Sequence, residues 1–507
     1  MSRPETIAVV GAGTMGAGIA QLAARAGART LLHDADPAAV RRGLELIADD
    51  LERQVKRGRM SAEDAAAARD RLIAVEDLDG LADAPLVIEA APERLELKLD
   101  LFRELDRRVS KDCVLATNTS SLSVTEIAGV VSQPERVVGL HFFNPAPLMR
   151  LVEVVAGEAS SPRALALARA TGEAMGKHVI AAQDIAGFLV NRVNRPYSLE
   201  ALRLVEEGIA SFDQVDRIAR MGGGFRMGPF ELMDLIGLET NHAVAEGLLR
   251  AGYGEPRYRP SPLTVRKIAA GRLGRKTGQG WYSYGEDAEP RPADPTPPPT
   301  GGGNGRPLTI RGDIPLAQEI ADAARGAGWD VGRHPDPWLT IDCDGRGESA
   351  GTPRLIALVR GSLHRLDPTA AGFHALGPFE GCHLIELTST PLTSAETSRR
   401  SEEFVRTLGR HPEHVGDAPG LVLGRIVCQL INEAAFLIGE GNGTPQDVDA
   451  GMTLGVNHPH GPVDWSQTIG SEHVRSVLVA LAEERSQERY RVAPLLAQRA
   501  ALGTALG

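Results

Sequence analysis

The chain has 507 residues, with 55 basic and 66 acidic side chains and a net charge of −11. At roughly 150 residues per domain, that length predicts about three to four domains. A hydrophobic share of 42% and a charged share of 24% exclude a wholly disordered chain. The acidic balance argues against general binding to nucleic acid or an anionic membrane, which needs a basic face.

The chain starts MSRPET and runs directly into the apolar segment IAVV, with no charged region ahead of a long apolar one, so no secretory signal is expected. TIAVVG reads as a buried strand, GAGIAQLAARAG as an Ala-rich helix and ARTLLHD as a second strand. APLVIEAA, DCVLATN and RVVGLHF are further short apolar runs separated by helical stretches. Strands alternating with helices predict βαβ units and a parallel sheet. From about Ala182 the pattern becomes helical, and Pro196 is expected to kink or break the first helix there. The expected fold is therefore an α/β Rossmann-type, doubly wound domain over 1–182, followed by an all-α domain over 183–284. Residues 285–306 are rich in Pro and Gly and poor in apolar side chains, which predicts a linker.

The remainder repeats the first half. At an offset of 233, Asp184, Gly187, Arg192, Glu200 and Glu207 meet Asp417, Gly420, Arg425, Glu433 and Glu440. The same offset brings His141 onto His374 and Glu153 onto Glu386. We expect a degenerate α/β remnant over 307–416 and a second helical domain over 417–507. No run approaches the length of a membrane span. Cys113, Cys343, Cys382 and Cys428 form neither CxxC nor Cys/His spacing, which argues against a metal site or a disulfide framework and fits a cytoplasmic protein.

Gly11-Ala-Gly13-Thr14-Met15-Gly16 is a GxGxxG between an apolar strand and a helix, and the next strand ends at Asp34, 18 residues past Gly16. In that context it predicts a dinucleotide site. Gly11 permits the tight turn, Gly13 the close approach of a pyrophosphate and Gly16 the packing of helix on strand. A carboxylate at Asp34 accepts from a ribose diol and repels a 2′-phosphate, which favours NAD over NADP. In the second copy only Gly312 remains, with Ile314 and Ala317 in place of the other glycines, so no dinucleotide is expected there.

Ser120, His141, Glu153 and Asn191 lie in segments that could meet at the carboxyl ends of the strands. A dehydrogenase must take a hydroxyl proton as hydride leaves carbon. A histidine backed by a carboxylate suits that task. Each residue also has a plain reading by itself: His141 as a structural histidine, Ser120 as a helix cap, Asn191 as a polar helix residue. Glu153 in an apolar strand calls for a partner, because a lone buried carboxylate is costly.

GAGTMG, VIEAAPE, TNTSSL, GLHFFNP, LVEV, GFLVNR, MGPFELMDLIG and GRKTGQGWYSY, in this order, closely resemble the L-3-hydroxyacyl-CoA dehydrogenase family over residues 5–284. The resemblance implies that His141 is the general base and Glu153 its orienting carboxylate, and that Ser120 and Asn191 hold the reacting oxygen and the acyl group. It implies Glu93, Lys98 and Asn144 on the cofactor side. It implies NAD as cofactor and a 3-hydroxyacyl-CoA as partner, in fatty acid metabolism and β-oxidation. The long layout is similar to bacterial members acting on 3-hydroxybutyryl-CoA, or on 3-hydroxyadipyl-CoA in phenylacetate catabolism. The basic stretch at Lys56, Arg57 and Arg59 is a candidate for the CoA phosphates or, equally, a solvated helix end. Rival expectations are a dehydrogenase of a free hydroxy acid on the same fold and a non-catalytic NAD-binding scaffold. Members of the family are often dimers through the helical domain, so either a homo-oligomer or a monomer with an internal pseudo-dimer is expected.

Overall fold

The first strands form where β-branched and leucine side chains run unbroken, because both faces of a parallel sheet are covered by helices. In the computed structural model, which describes residues 3–285, 291–345 and 353–507, these are β1 (Thr6–Val10), β2 (Arg29–His33), β3 (Leu72–Ala74), β4 (Leu86–Glu89), β5 (Val114–Thr117), β6 (Val137–Phe142), β7 (Leu151–Ala156) and β8 (His178–Gln183). They pair in the order β3-β2-β1-β4-β5-β6-β7-β8. Every pairing is parallel except β6 with β7, whose antiparallel register sets His141 opposite Glu153. Helix α1 (Thr14–Arg25) buries Ile19, Ala20, Leu22, Ala23 and Ala24 against the sheet. Helix α2 (Pro37–Lys56) is capped by Asp36, and α3 (Ala62–Asp70) by Ser61.

The chain divides into two compact units. One holds Met1–Arg192 and Leu454–Val456, and the other holds Val193–Thr453 and Asn457–Gly507. The second unit contains both helical regions and a seven-stranded sheet. Its strands are β9 (Pro307–Arg311), β10 (Asp330–Val331), β11 (Leu339–Asp342), β12 (Arg354–Ala357), β13 (Ala371–His374), β14 (Leu384–Ser389) and β15 (His411–His414), in the order β10-β9-β11-β12-β13-β14-β15. Only β13 and β14 are antiparallel, and they set His374 opposite Glu386. The repeat read from sequence is thus a repeat of topology and register.

Pro196 breaks the helix as expected: the short helix Val190–Val193 ends and Arg195–Glu206 begins with the proline in its first turn. That position tolerates proline because its N–H has no helical acceptor. Of the predicted linker, 286–290 lie outside the described residues. The described part has neither helix nor strand but is pinned within its own unit. Asp294 takes both ends of the Arg220 guanidinium, and Gly301 donates to Thr407 at 2.9 Å.

Within the second unit, the helix Leu423–Gly439 lies on Arg195–Glu206. The contact is reciprocal. Arg425, fully buried, donates to Glu200 at 2.6 and 2.8 Å and to Glu207 at 2.8 Å, and the Tyr490 hydroxyl joins Glu200 at 3.0 Å. On the other side Tyr258 donates to Glu433 at 2.7 Å and Arg257 donates to it at 2.8 Å. Glu433 is the repeat counterpart of Glu200. The two helical regions therefore meet through equivalent carboxylates, as the subunits of an isologous pair would.

Candidate active site

The glycine turn is built as its sequence requires. Gly11 has φ +102°, and a Cβ there would come within 2.5 Å of the Ala90 carbonyl oxygen. A Cβ on Gly16 would fall 1.7 Å from the Gly11 oxygen, so the helix can approach the strand only without a side chain. At Gly13 a Cβ would meet nothing within 4 Å: the third position is open. Gly13 is also the N-cap of α1, and no side chain caps that helix. Its first N–H groups, at Thr14 and Met15, therefore face an open cradle, the arrangement that binds a pyrophosphate. Asp34, at the end of β2, accepts from Ala12 N at 2.7 Å and from Asp36 N at 2.9 Å, which anchors its carboxylate beside the turn. These residues fit a dinucleotide. Asp34→Ala is expected to weaken NAD binding and to relax the discrimination against NADP. Titration of both cofactors checks this, and unchanged affinities for both would remove Asp34 from the ribose site. In the second copy, Ile314 occupies the N-cap and Pro315 the first turn of the helix Pro315–Gly326, so side chains stand where the first copy is open.

The catalytic candidates gather at the carboxyl ends of the strands. His141 Nδ1 lies 2.6 Å from Glu153 Oε2, with the imidazole nearly buried and the carboxylate wholly so. The other oxygen, Oε1, accepts from Leu189 N at 3.1 Å and Val190 N at 3.0 Å. The backbone reaches it through consecutive left-handed residues, Gly187 (φ 74°) and Phe188 (φ 47°). A bulky residue in that region is strained and persists where the surroundings hold it. Here Phe188 packs edge-on to the His141 ring at 5.9 Å, and Phe143 lies on the ring at 4.7 Å. With Nδ1 committed to Glu153, the Nε2 face is the one left for substrate.

Asn191, next to the cradle that holds Glu153, donates from Nδ2 to the Ser120 carbonyl oxygen at 3.4 Å. Ser120 is not the helix cap. That role falls to Ser123, which accepts from Glu126 N at 3.1 Å, while Asp184 accepts from Val124 N and Thr125 N. Ser120 is held instead by Glu93 Oε1, which accepts from its N–H at 2.8 Å and its hydroxyl at 3.2 Å, as well as from Thr119 and Ser121. Burial pushes the Glu93 carboxyl up, but the Lys98 ammonium and these donors outweigh it and hold it below the usual carboxylate range.

Lys98 is fully buried and bonds Glu89 at 2.6 Å. Glu89 in turn accepts from Thr117 Oγ1 at 2.6 Å and Ala91 N at 2.6 Å. Sequence reasoning missed Glu89 and Thr117. The signal was present: Glu89 ends an apolar strand, where a carboxylate needs a cation. Asn144 is exposed, in the turn after β6.

Lys56 is exposed and pairs with Glu52 at 3.4 Å, and Arg57 is the exposed C-cap of α2. Arg59 instead lines a cavity of about 640 Å³ with Arg25, Arg71, Arg150 and Lys177, five cations against one carboxylate, Asp64. Lys177 is buried and donates to the carbonyls of Ala146 and Met149. Burial, with help from Arg25, pulls its ammonium down to about 8.

The matching place in the second copy has kept the carboxylate cradle and lost the pair. Glu386 accepts from Val422 N and Leu423 N, reached through Gly420 and Leu421 in the same left-handed conformations. His374 turns away from it and lies 3.2 Å, Nε2 to Nε2, from His473. Its ring packs on Gly424, where a Cβ would come within 2.3 Å. The asparagine position of the first copy is thus filled by the histidine itself. Burial pushes Glu386 up to about 8 and, with His473, holds His374 well below its ordinary value.

The family model for the 3-hydroxyacyl-CoA dehydrogenase NAD-binding domain matches residues 6–185, and the model for the C-terminal domain matches 187–284 and again 420–505. The chain is 36% identical over 502 residues to an Escherichia coli 3-hydroxyadipyl-CoA dehydrogenase, covering 99% of this chain and 98% of the relative. A crystal structure of 3-hydroxybutyryl-CoA dehydrogenase from E. coli K12 superposes with a TM-score of 0.85 at 34% identity, over 98% of each chain. The (S)-3-hydroxybutyryl-CoA dehydrogenase of Ralstonia eutropha matches 56% of this chain and 99% of its own, at 39% identity and a TM-score of 0.55. No described helix is long and apolar enough to cross a membrane. The chain belongs to the 3-hydroxyacyl-CoA dehydrogenase family of NAD-dependent oxidoreductases.

Proposed function

We propose that the chain oxidises an L-3-hydroxyacyl-CoA to the 3-ketoacyl-CoA in its first copy, with 3-hydroxyadipyl-CoA the favoured substrate and 3-hydroxybutyryl-CoA the alternative. The observation that carries this reading is the His141–Glu153 hydrogen bond at 2.6 Å, with Ser120 and Asn191 joined to each other beside it. The substrate's 3-hydroxyl proton passes to His141 Nε2. Glu153 holds Nδ1 in the protonated tautomer and stabilises the imidazolium as it forms. The two backbone N–H groups on Glu153 Oε1 keep the carboxylate from turning away. Ser120 and Asn191 orient the oxygen from which the proton leaves. Gly11, Gly13, Gly16 and Asp34 hold NAD, whose nicotinamide supplies the hydride acceptor when bound.

The dicarboxylic substrate is placed first on chain layout, the relative of that name matching the whole chain at 36% identity; the E. coli structure named 3-hydroxybutyryl-CoA dehydrogenase matches over the same extent at 34%, so the choice between the two falls to the assay. NAD reduction followed by absorbance against a panel of 3-hydroxyacyl-CoA thioesters, including the dicarboxylic one, tests both parts. Turnover of free hydroxy acids but not thioesters would defeat the reading.

The five cations around Arg59 and Lys177 are our candidates for an anion-binding surface for the CoA phosphates, in preference to Lys56 and Arg57. Arg59→Ala is expected to raise KM for the thioester about tenfold, the cost of roughly one charge-assisted hydrogen bond, with kcat retained. A KM unchanged at low salt would exclude Arg59.

A further inference from the structure

The first helical region buries a cation with no anion beside it. Arg195 opens the helix Arg195–Glu206 and is 5% exposed. Among the described residues, the hydrogen bond its side chain makes runs from Nη1 to the Asn241 carbonyl at a long 3.4 Å, and Nε is closed off from solvent without a partner. Burial pulls the guanidinium down to about 10, and no carboxylate acts against it. Arg425 and Arg257, buried in the same unit, are each paired, with Glu200 at 2.6 Å and with Glu433 at 2.8 Å. A buried cation is costly until an anion joins it.

Two neighbours along the chain are orphaned as well. Asn194 Oδ1 and His242 Nδ1, next in sequence to Arg195 and to Asn241, are buried without partners. Buried polar atoms are almost always hydrogen-bonded, so such orphans mark a place for a bound group.

The repeat shows that the fold does not need the charge. At the offset of 233, Asn194, Arg195 and Asn241 become Val427, Cys428 and Val474, all buried and all apolar. The second copy, whose His374 has turned from Glu386 to His473, fills these positions with hydrophobic side chains. The copy that keeps the reactive pair keeps the cation.

We propose that Arg195 is a specificity-determining residue, whose guanidinium receives the second carboxylate of a dicarboxylic 3-hydroxyacyl-CoA. Paired N–H groups of a guanidinium match a carboxylate's two oxygens. Asn191, which orients the reacting end of the substrate in the proposed reaction, is four residues earlier in the chain. The acyl chain of 3-hydroxyadipyl-CoA ends in a carboxylate three carbons past the hydroxyl, whereas that of 3-hydroxybutyryl-CoA ends in a methyl. The proposal rests on the first-copy reading above and narrows its substrate class.

The test uses the full chain with NAD and compares 3-hydroxyadipyl-CoA with 3-hydroxyhexanoyl-CoA, which has the same chain length and a methyl in place of the carboxylate. Wild type should favour the dicarboxylic thioester in kcat/KM by about 10- to 100-fold, the range of a charge-assisted hydrogen bond. Arg195→Met, similar in length and uncharged, should lose about that factor on 3-hydroxyadipyl-CoA, through KM, and keep or gain activity on 3-hydroxyhexanoyl-CoA. Arg195→Lys should fall between the two, because it keeps the charge without the paired N–H groups.

A wild type that does not prefer the dicarboxylic thioester would overturn the proposal. So would an Arg195→Met loss that falls equally on both thioesters, the mark of a structural role. If Arg195→Met does not accumulate as folded protein, Arg195→Lys decides, and a preference unchanged from wild type overturns the proposal. Absence of wild-type turnover on any thioester would instead strike the underlying reading.

Discussion

Replacing His141 by Gln should lower kcat by about 10²- to 10⁴-fold, the usual contribution of a positioned general base, while leaving NAD affinity within about twofold. Gln is close in size and keeps the contacts with Phe143 and Phe188, so the loss reports proton transfer and not collapse. Glu153→Gln should cost less. It keeps an oxygen for Leu189 and Val190 N–H but gives up the negative charge that stabilises the imidazolium. Because the two residues act through one hydrogen bond, the double variant should be little worse than His141→Gln alone. Stopped-flow NADH formation and cofactor titration measure both quantities. Turnover of His141→Gln at the wild-type rate would end the assignment, and strictly additive losses would mean that the two residues do not work as a pair.

The second large effect concerns stability. Arg425 is wholly buried and its guanidinium serves Glu200, Glu207 and the Tyr490 hydroxyl. Removing one partner of a buried ion pair leaves the other uncompensated, which typically costs about 3–5 kcal/mol. Arg425→Met should therefore lose about that much in denaturant unfolding of the second unit. Arg425→Met with Glu200→Leu should recover most of it, since the two apolar side chains leave no orphan charge in the core and Glu207, partly exposed, keeps its pair with Arg485 at 3.0 Å. A single-variant loss below about 1 kcal/mol would show that Glu200 finds water or another partner when Arg425 is gone. The buried network would then contribute little to holding the two helical regions together.

Much of the architecture was legible because it is written in patterns of two kinds. Buried strands such as IAVV and LVIE are unbroken apolar runs, and the glycine turn needs Gly11 and Gly16 for reasons of contact that the structure shows to be literal. The register of the repeat was visible because Asp184 and Gly187 each do a local job that their counterparts still do. Asp184 binds the N–H groups at Val124 and Thr125, as Asp417 binds those at Leu363 and His364.

What could not be read was side-chain partnership between distant segments. His374 and Glu386 hold the same strand register as His141 and Glu153, and nothing in the alignment announces that His374 faces His473. The clue is Gly424 in place of Asn191: without a side chain there, the imidazole drops into the vacated space. Ser120 misled in the opposite direction. Its neighbours offer capping spacing, but the cap is Ser123, three residues on, which frees Ser120 for Glu93. The Glu89–Lys98 pair was half seen, because Lys98 was placed on the cofactor side while the carboxylate that keeps it buried ends a strand nine residues earlier.

The reciprocal seating of Glu200 and Glu433 has a physical consequence for how the molecule behaves at low abundance. Where two separate polypeptides meet through such carboxylates, occupancy of the contact follows a dissociation constant and fades on dilution. Here both halves are tethered, so the local concentration of one for the other is set by chain length alone. The contact is therefore equally complete in a dilute cell extract and in a concentrated stock.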